Sequence, residues 1–231
     1  MTDPSQLRIW YWDTEVDPPC WVCLPSVVDP VARTVTARVK HLTTFALMVD
    51  PDFPPLTDVK AHWAEADVLR LASIGAVSGY EDGTFRPELA VTRAQFAKFL
   101  AAALGLEPGH EAFLAAFKDA AAVPSWAVPY VAACVREGVL SGWDGLLRPN
   151  DAITRAEGTA MLARALGLGG ELGGVVTFTD AGSLPGWALG YIYQASSHGL
   201  IRGMPDGSFR PADKLTRAQA VTILSRALNL D

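Results

Sequence analysis

The chain has 231 residues, 50% of them hydrophobic and 19% charged, with a formal net charge of −6. That composition belongs to a folded protein, and its acidity argues against nucleic-acid binding by phosphate neutralisation, which needs a basic face. No apolar run approaches the roughly 18 residues of a membrane span, so membrane insertion is not expected either.

The first element in chain order is β-rich. From Leu7 to Val49 the chain is dense in Trp, Val, Thr and Tyr and broken by Asp-Pro at 17–18 and 29–30, a pattern of short strands and turns. Arg33 to Val39 alternates apolar and polar side chains as a half-buried strand does. A few such strands are marginal alone and need a partner layer. Residues 1–50 therefore read as the remnant of a β-sandwich domain, followed by a proline-rich linker over 51–56 that carries Pro51, Pro54 and Pro55. The start, MTDPSQLRIW, lacks the basic-then-apolar pattern of a secretory signal. Read literally, Met1 gives a cytosolic protein. Half a domain ahead of a repeat array instead resembles a piece of a longer secreted protein, and that is the reading preferred here.

Three cysteines do not make a disulfide framework. Cys20 and Cys23 form a CxxC, but a zinc site needs about four ligands. No second CxxC accompanies it, and His41, His62, His110 and His198 are scattered. No metal site is expected, and Cys134, inside a helical apolar pattern, is expected in the core.

The rest of the chain repeats itself. Trp63, Trp126 and Trp187 are each followed twelve residues later by Gly75, Gly138 and Gly199, and four residues after those by Gly79, Gly142 and Gly203. An Arg-Pro pair follows (Arg86-Pro87, Arg148-Pro149, Arg210-Pro211), then a Thr-Arg-Ala-Gln/Glu tetrad at Thr92, Thr154 and Thr216, 62 residues apart both times. Trp63–Ile74, Trp126–Glu137 and Trp187–His198 have helical apolar spacing and end at a glycine suited to the left-handed stop. Arg93–Leu104, Arg155–Leu166 and Arg217–Leu228 form a second set, ending before Gly105, Gly167 and Asn229. Leu100, Leu162 and Leu224, each four residues before another leucine, set an inward stripe. Helices of this length, about 18 Å, are unstable unsupported, so three pairs must pack on one another. The fold class is mainly α: tandem helix-loop-helix repeats over 57–110, 111–172 and 173–231. The loops carry an Asp-Gly turn, and that of the second repeat is one residue shorter, so its geometry is expected to differ.

Within the tetrad, Thr and Gln/Glu form a capping box worth about 1 kcal/mol. Arg does not fit that account, because a cation at the first helical position faces the positive end of the helix dipole. Two explanations stand open. Beside exposed helix N–H groups it is built to grip a carboxylate; alternatively it pairs with an acidic residue of a neighbouring repeat.

Taken together, tetrad, loop and Trp-to-Gly spacing resemble the S-layer homology (SLH) domain, in three copies over about residues 53–231. The matching residues are Thr57-Asp58 with His62-Trp63-Ala64, Gly79 through Pro87, and Val91-Thr92-Arg93-Ala94-Gln95. Phe117-Lys-Asp119 and Phe178-Thr-Asp180 repeat the opening. Val39 to Val49 also resembles the last strand of β-sandwich modules that often precede surface-anchoring repeats. The resemblance implies a three-pronged spindle, a pseudo-threefold bundle with grooves between copies. It also implies non-covalent attachment at the cell surface to a pyruvylated cell-wall polysaccharide linked to peptidoglycan, by a protein monomeric unless an upstream part assembles.

Carried over, the ligand-binding candidates are Arg93, Arg155 and Arg217, Gly79, Gly142 and Gly203, Asp58, Asp119 and Asp180, and Trp63, Trp126 and Trp187. Each Trp reads equally as a core wedge at a helix start, and each Asp as a turn or cap residue. The sequence departs from the family at Gln95 and Gln219, where Glu is usual as at Glu157, and in the shortened second loop. The sites are therefore not expected to be equal. With no nucleophile elbow, phosphate loop or metal spacing, no catalytic residue and no cofactor are expected. The competing reading is a helical-repeat scaffold for a protein or peptide partner.

Overall fold

Alternation in the first fifty residues becomes two small antiparallel sheets. In the computed structural model, which describes residues 6–15, 19–24, 26–29, 31–39, 43–49, 56–171, 173–174 and 177–228, β1 (Leu7–Asp13) pairs with β2 (Cys20–Cys23) on one edge and β5 (Phe45–Val49) on the other. A hairpin of β3 (Ser26–Asp29) and β4 (Thr34–Ala37) sets Val28 opposite Val35. Its turn is held by the Asp29 carboxylate, which accepts the N–H groups of Val31 and Ala32 at 2.9 and 2.8 Å. Helix α1 (Glu65–Ser73) packs against β3, which supplies the partner layer that the strands require. The linker residues 51–55, Asp17-Pro18, Lys40 to Leu42 and Asn229 lie outside the described residues, as do the side chains of Cys20 and Cys23.

The structure divides into two units, 1–87 and 88–231. The first holds the strands, α1 and the loop of the first repeat. The second holds α2 (Arg93–Ala103), α3 (Val128–Arg136), α4 (Arg155–Ala165), α5 (Leu189–Ser197) and α6 (Arg217–Ala227). The fold among the described residues is mainly α with a small N-terminal β part. No helix among the described residues is long and apolar enough to cross a membrane.

The tetrad helices begin at the expected arginine, because all three capping boxes form: the Thr hydroxyl accepts the N–H three residues on and Gln95, Glu157 or Gln219 reaches back. Gln thus caps as well as Glu does. The Trp helices start later than expected. After Pro124 and Pro185 the chain first makes 3-10 turns, Ser125–Ala127 and Gly186–Ala188, in which the Ala127 and Ala188 N–H groups bond the proline carbonyls at 2.8 Å. Trp126 and Trp187 thereby sit ahead of their α-helices rather than on them, and Trp63 likewise precedes α1. The stops are as expected, with Gly75, Gly138 and Gly199 at φ 73°, 68° and 71°. Leu100, Leu162 and Leu224 are fully buried, as is Cys134.

The packing partner of a helix is not its own repeat-mate. α2 packs with α3, and α4 with α5, so the second helix of one repeat meets the first helix of the next. The extended residue before each capping Thr closes a backbone cycle. Val91 donates to the carbonyl of Leu215 at 2.9 Å, Leu215 to Ile153 at 2.9 Å and Ile153 to Val91 at 3.0 Å. All three are buried, at 0%, 2% and 0% exposure. Ile153→Ala should cost about 2–5 kcal/mol, because it removes a fully buried side chain at this junction and leaves a cavity there. Chemical denaturation of the full chain measures it, and a loss under about 1 kcal/mol would show that the centre relaxes freely.

Candidate functional site

Where do the N-terminal N–H groups of the tetrad helices go? The reading of the tetrad as an anion grip needs them open. In α2 the Arg93 N–H donates to the Asp151 carbonyl at 3.0 Å, the Ala94 N–H to Pro149 at 2.9 Å and the Gln95 N–H to the Thr92 hydroxyl at 3.2 Å. In α4 Arg155 and Ala156 do the same to Asp213 and Pro211, and in α6 Arg217 donates to Leu89 at 2.9 Å. The expectation of exposed helix N–H groups is corrected: the following repeat occupies the first two donors of α2 and α4.

The arginine side chains follow their backbones. Arg93 Nε donates to the Leu147 carbonyl at 2.8 Å and its terminal nitrogens to Ser141 O at 3.2 Å and Glu157 Oε1 at 3.1 Å. Arg155 repeats this on the third loop, with Nε to Phe209 O at 2.8 Å and a terminal nitrogen to Arg202 O at 3.3 Å, and its guanidinium lies over the Phe209 ring. Arg217 is 3% exposed, with its guanidinium over Phe99. Burial pushes Arg93 below the ordinary arginine value, Glu157 opposing it. Carbonyl ties of this kind repay the cation at the unfavourable end of the dipole. The acidic partner weighed for these arginines is present at Arg93, as the Arg93–Glu157 pair.

The aspartates grip the same loops from the other side. Asp58 accepts the N–H groups of Phe85 and Arg86 at 2.6 and 2.7 Å, Asp119 those of Leu147 and Arg148 at 2.8 and 2.7 Å, and Asp180 those of Phe209 and Arg210 at 2.7 and 2.8 Å. Asp119 and Asp180 stand at the N-cap positions of 3-10 turns, but their side chains make no capping bond there. Each of these aspartates fixes an arginine held at positive φ (57°, 53° and 58° for Arg86, Arg148 and Arg210), a conformation rare for a residue with a side chain. Burial pushes the Asp119 and Asp180 carboxyls up, but the paired backbone N–H groups outweigh it and leave both below their ordinary value.

The loop glycines permit close approach. A Cβ on Gly142 would lie 2.5 Å from the Phe117 ring and 2.8 Å from the Leu146 carbonyl; on Gly79, 2.5 Å from Leu56 and 2.8 Å from Thr84 O. At Gly203 the nearest atoms, of Phe178 and Ser208, stand at 3.2 Å. The tryptophans are not core wedges: Trp63, Trp126 and Trp187 are 62%, 47% and 54% exposed.

In the second unit three of these candidates converge on one groove of about 510 Å³. Arg93 of the first repeat forms its floor with Glu157. Ser141, Gly142, Trp143 and Arg148 of the second loop form one wall, and Ala160, Met161 and Arg164 of α4 the other. Trp187 of the third repeat closes the end. Arg164 lies over the Tyr191 ring at 4.7 Å and reaches Ser141 Oγ at 3.4 Å. Three arginines against one glutamate, between two exposed tryptophans, suit an anionic ligand with an apolar face. Trp126 meets a cation too, Lys98, 5.8 Å from its ring. Asp58, Gly79 and Trp63 belong to the first unit, Asp58 and Gly79 at the first loop and Trp63 beside His62. Trp143, Arg148, Met161 and Arg164 were not among the residues expected from sequence. The spacing of Glu157, Met161 and Arg164 at i, i+4 and i+7 was the available signal for the α4 wall.

Known proteins resemble this chain in the same regions. The S-layer homology domain matches residues 55–97, 116–157 and 177–221, more than half of the chain. An amylopullulanase of Thermoanaerobacterium thermosulfurigenes is 30% identical over 96% of the chain. A cellulosome-anchoring protein of Acetivibrio thermocellus is 32% identical over 66%, and the S-layer protein EA1 of Bacillus anthracis 31% identical over 84%. The matched regions make up 12%, 35% and 22% of those three proteins, so the chain spans a minor part of each.

Two outcomes follow from the loop clamps. Gly142→Ala should destabilise by about 1–3 kcal/mol through overpacking, and more than Gly203→Ala, in thermal or urea unfolding. Because their native values are lowered, Asp119 and Asp180 contribute stability that is complete above the unfolded-chain value of about 3.9 and lost as pH falls through the native value. Urea midpoints should therefore fall more steeply below about pH 4 in the wild type than in an Asp119→Asn/Asp180→Asn variant. Equal slopes would show that the clamps do not depend on charge.

Proposed function

Because the chain belongs to the S-layer homology domain family, we propose that it is a non-catalytic anchoring module, holding a longer protein to the bacterial cell surface by binding a pyruvylated cell-wall polysaccharide in grooves between its repeats. The reading is supported most by the groove between Arg93, the second loop, α4 and Trp187. A pyruvate ketal is a sugar with one carboxylate and a compact apolar methyl group. Arginines near its carboxylate and tryptophan faces against its ring are the matching chemistry. The net charge of −6 disfavours indiscriminate polyanion binding, so recognition rests on local cations.

The twelve residues named from sequence divide within this proposal. Arg93, Gly142 and Trp187 line the groove, with Trp126 and Trp63 in the corresponding position of the other repeats. Arg155, Arg217, Asp58, Asp119, Asp180, Gly79 and Gly203 serve the ligand by shaping the loops. The repeats are taken as residues 57–110, 111–172 and 173–231 after a β-rich segment. Their arrangement is taken as pseudo-threefold, on the strength of the cyclic bonds among Val91, Ile153 and Leu215. The protein is taken to act as a monomer. The name of the cellulosome-anchoring relative is in keeping with this role.

Co-sedimentation with pyruvylated wall material tests it. Wild type should pellet, and mild acid hydrolysis of the ketals should release it. Trp187→Ala/Arg164→Ala should weaken binding by about tenfold or more with the helical circular dichroism unchanged. Binding that survives hydrolysis would instead favour the protein-scaffold reading.

A further inference from the structure

The second loop differs from the other two in what it does with its arginine. In the first loop Asp82 accepts the Thr84 N–H and hydroxyl at 3.0 and 2.6 Å and pairs with Arg86 at 2.9 Å, and Arg86 Nε reaches the Thr84 hydroxyl. The third loop repeats the set with Asp206, Ser208 and Arg210, the ion pair at 2.7 Å. There the hydroxyl holds the aspartate beneath the arginine four residues on. In the second loop Leu146 stands where Thr84 and Ser208 stand. One residue is also missing, and the turn tightens to a two-residue hairpin with Asp144 and Gly145 both left-handed (φ 54° and 74°) and Trp143 and Leu146 paired. Asp144 makes no ion pair with Arg148. The Arg148 guanidinium, exposed and on the groove wall, has no hydrogen bond or ion pair among the described residues.

Arg93, by contrast, spends all three of its nitrogens on Leu147, Ser141 and Glu157. Of the groove's three arginines, Arg93 is paired with Glu157 and Arg164 is drawn to Ser141 and the Tyr191 ring, whereas the Arg148 guanidinium meets Asp119 only through its longer-range charge and keeps its donors open. We infer that Arg148, released by Leu146 and the shortened hairpin, is the residue by which this groove reads the carboxylate of an anionic sugar. The shortened loop thereby leaves this groove an arginine of the kind that the first and third loops lock onto Asp82 and Asp206. This rests on the groove reading proposed above and names the residue that carries it.

The test uses the full chain and two probes, a methyl hexoside bearing a pyruvate ketal and the same glycoside after the ketal is removed, followed by calorimetric titration and salt dependence. Wild type should bind the ketal and ignore its parent. Arg148→Gln should bind about tenfold more weakly with a shallower salt dependence, whereas Arg210→Gln should leave the strongest site unchanged. Arg148→Gly should lose affinity equally while unfolding at the same or a higher temperature, since glycine accepts the positive φ at position 148 without strain. Replacing Trp143–Leu147 by the first repeat's Tyr-Glu-Asp-Gly-Thr-Phe keeps the arginine and an aromatic but restores its aspartate lock, and should weaken binding as Arg148→Gln does. If wild type binds the ketal and Arg148→Gln binds it equally well, this inference fails and the groove reading stands. If wild type binds neither probe, both fail.

Discussion

Three backbone hydrogen bonds join Val91, Ile153 and Leu215 in a closed cycle, each residue donating to one neighbour and accepting from the other. A cycle has no free end, so each repeat's extended residue is fixed by the other two. Everything C-terminal to it inherits that placement. The capping threonine follows immediately, and the next two N–H groups of α2 and α4 point into the next repeat's loop rather than to water. Short helices that are unstable alone thus become parts of one unit, because their orphan donors are satisfied by a neighbour and not by solvent.

The tetrad arginine belongs to the same arrangement. The backbones of Arg93 and Arg155 bond the carbonyls just after the following loop and their side chains bond that loop, which is held from the opposite side by an aspartate. The peptides at Leu147 and Phe209 are gripped on N–H by the carboxylate and on C=O by the guanidinium. Such two-sided restraint keeps the next residue, Arg148 or Arg210, in a left-handed conformation that it would otherwise avoid. The groove is accordingly built on a loop tied at both faces of one peptide, and the shorter second loop keeps those ties.

Much of the frame was legible in the residues. Capping boxes, glycine stops and apolar spacing report local preferences, and the helices begin and end within a residue or two of where those preferences place them. The second and third Trp helices miss because a proline carbonyl captured the first turn as a 3-10 turn, a competition between two hydrogen-bond patterns that periodicity does not register. The buried leucine of each stripe was also legible, since burial of one helix face follows from spacing alone.

The sequence by itself determined the repeat, its helix-loop-helix content and the presence of an arginine that capping leaves unexplained, because these are properties of neighbours along the chain. Only the tertiary structure decided what that arginine touches, that the tryptophans face outward, and that Arg93, Arg148, Arg164 and Trp187 share a groove. Those facts depend on residues from three repeats meeting, and which carbonyl receives a donor some fifty positions away is set by the packed backbone, not by local spacing.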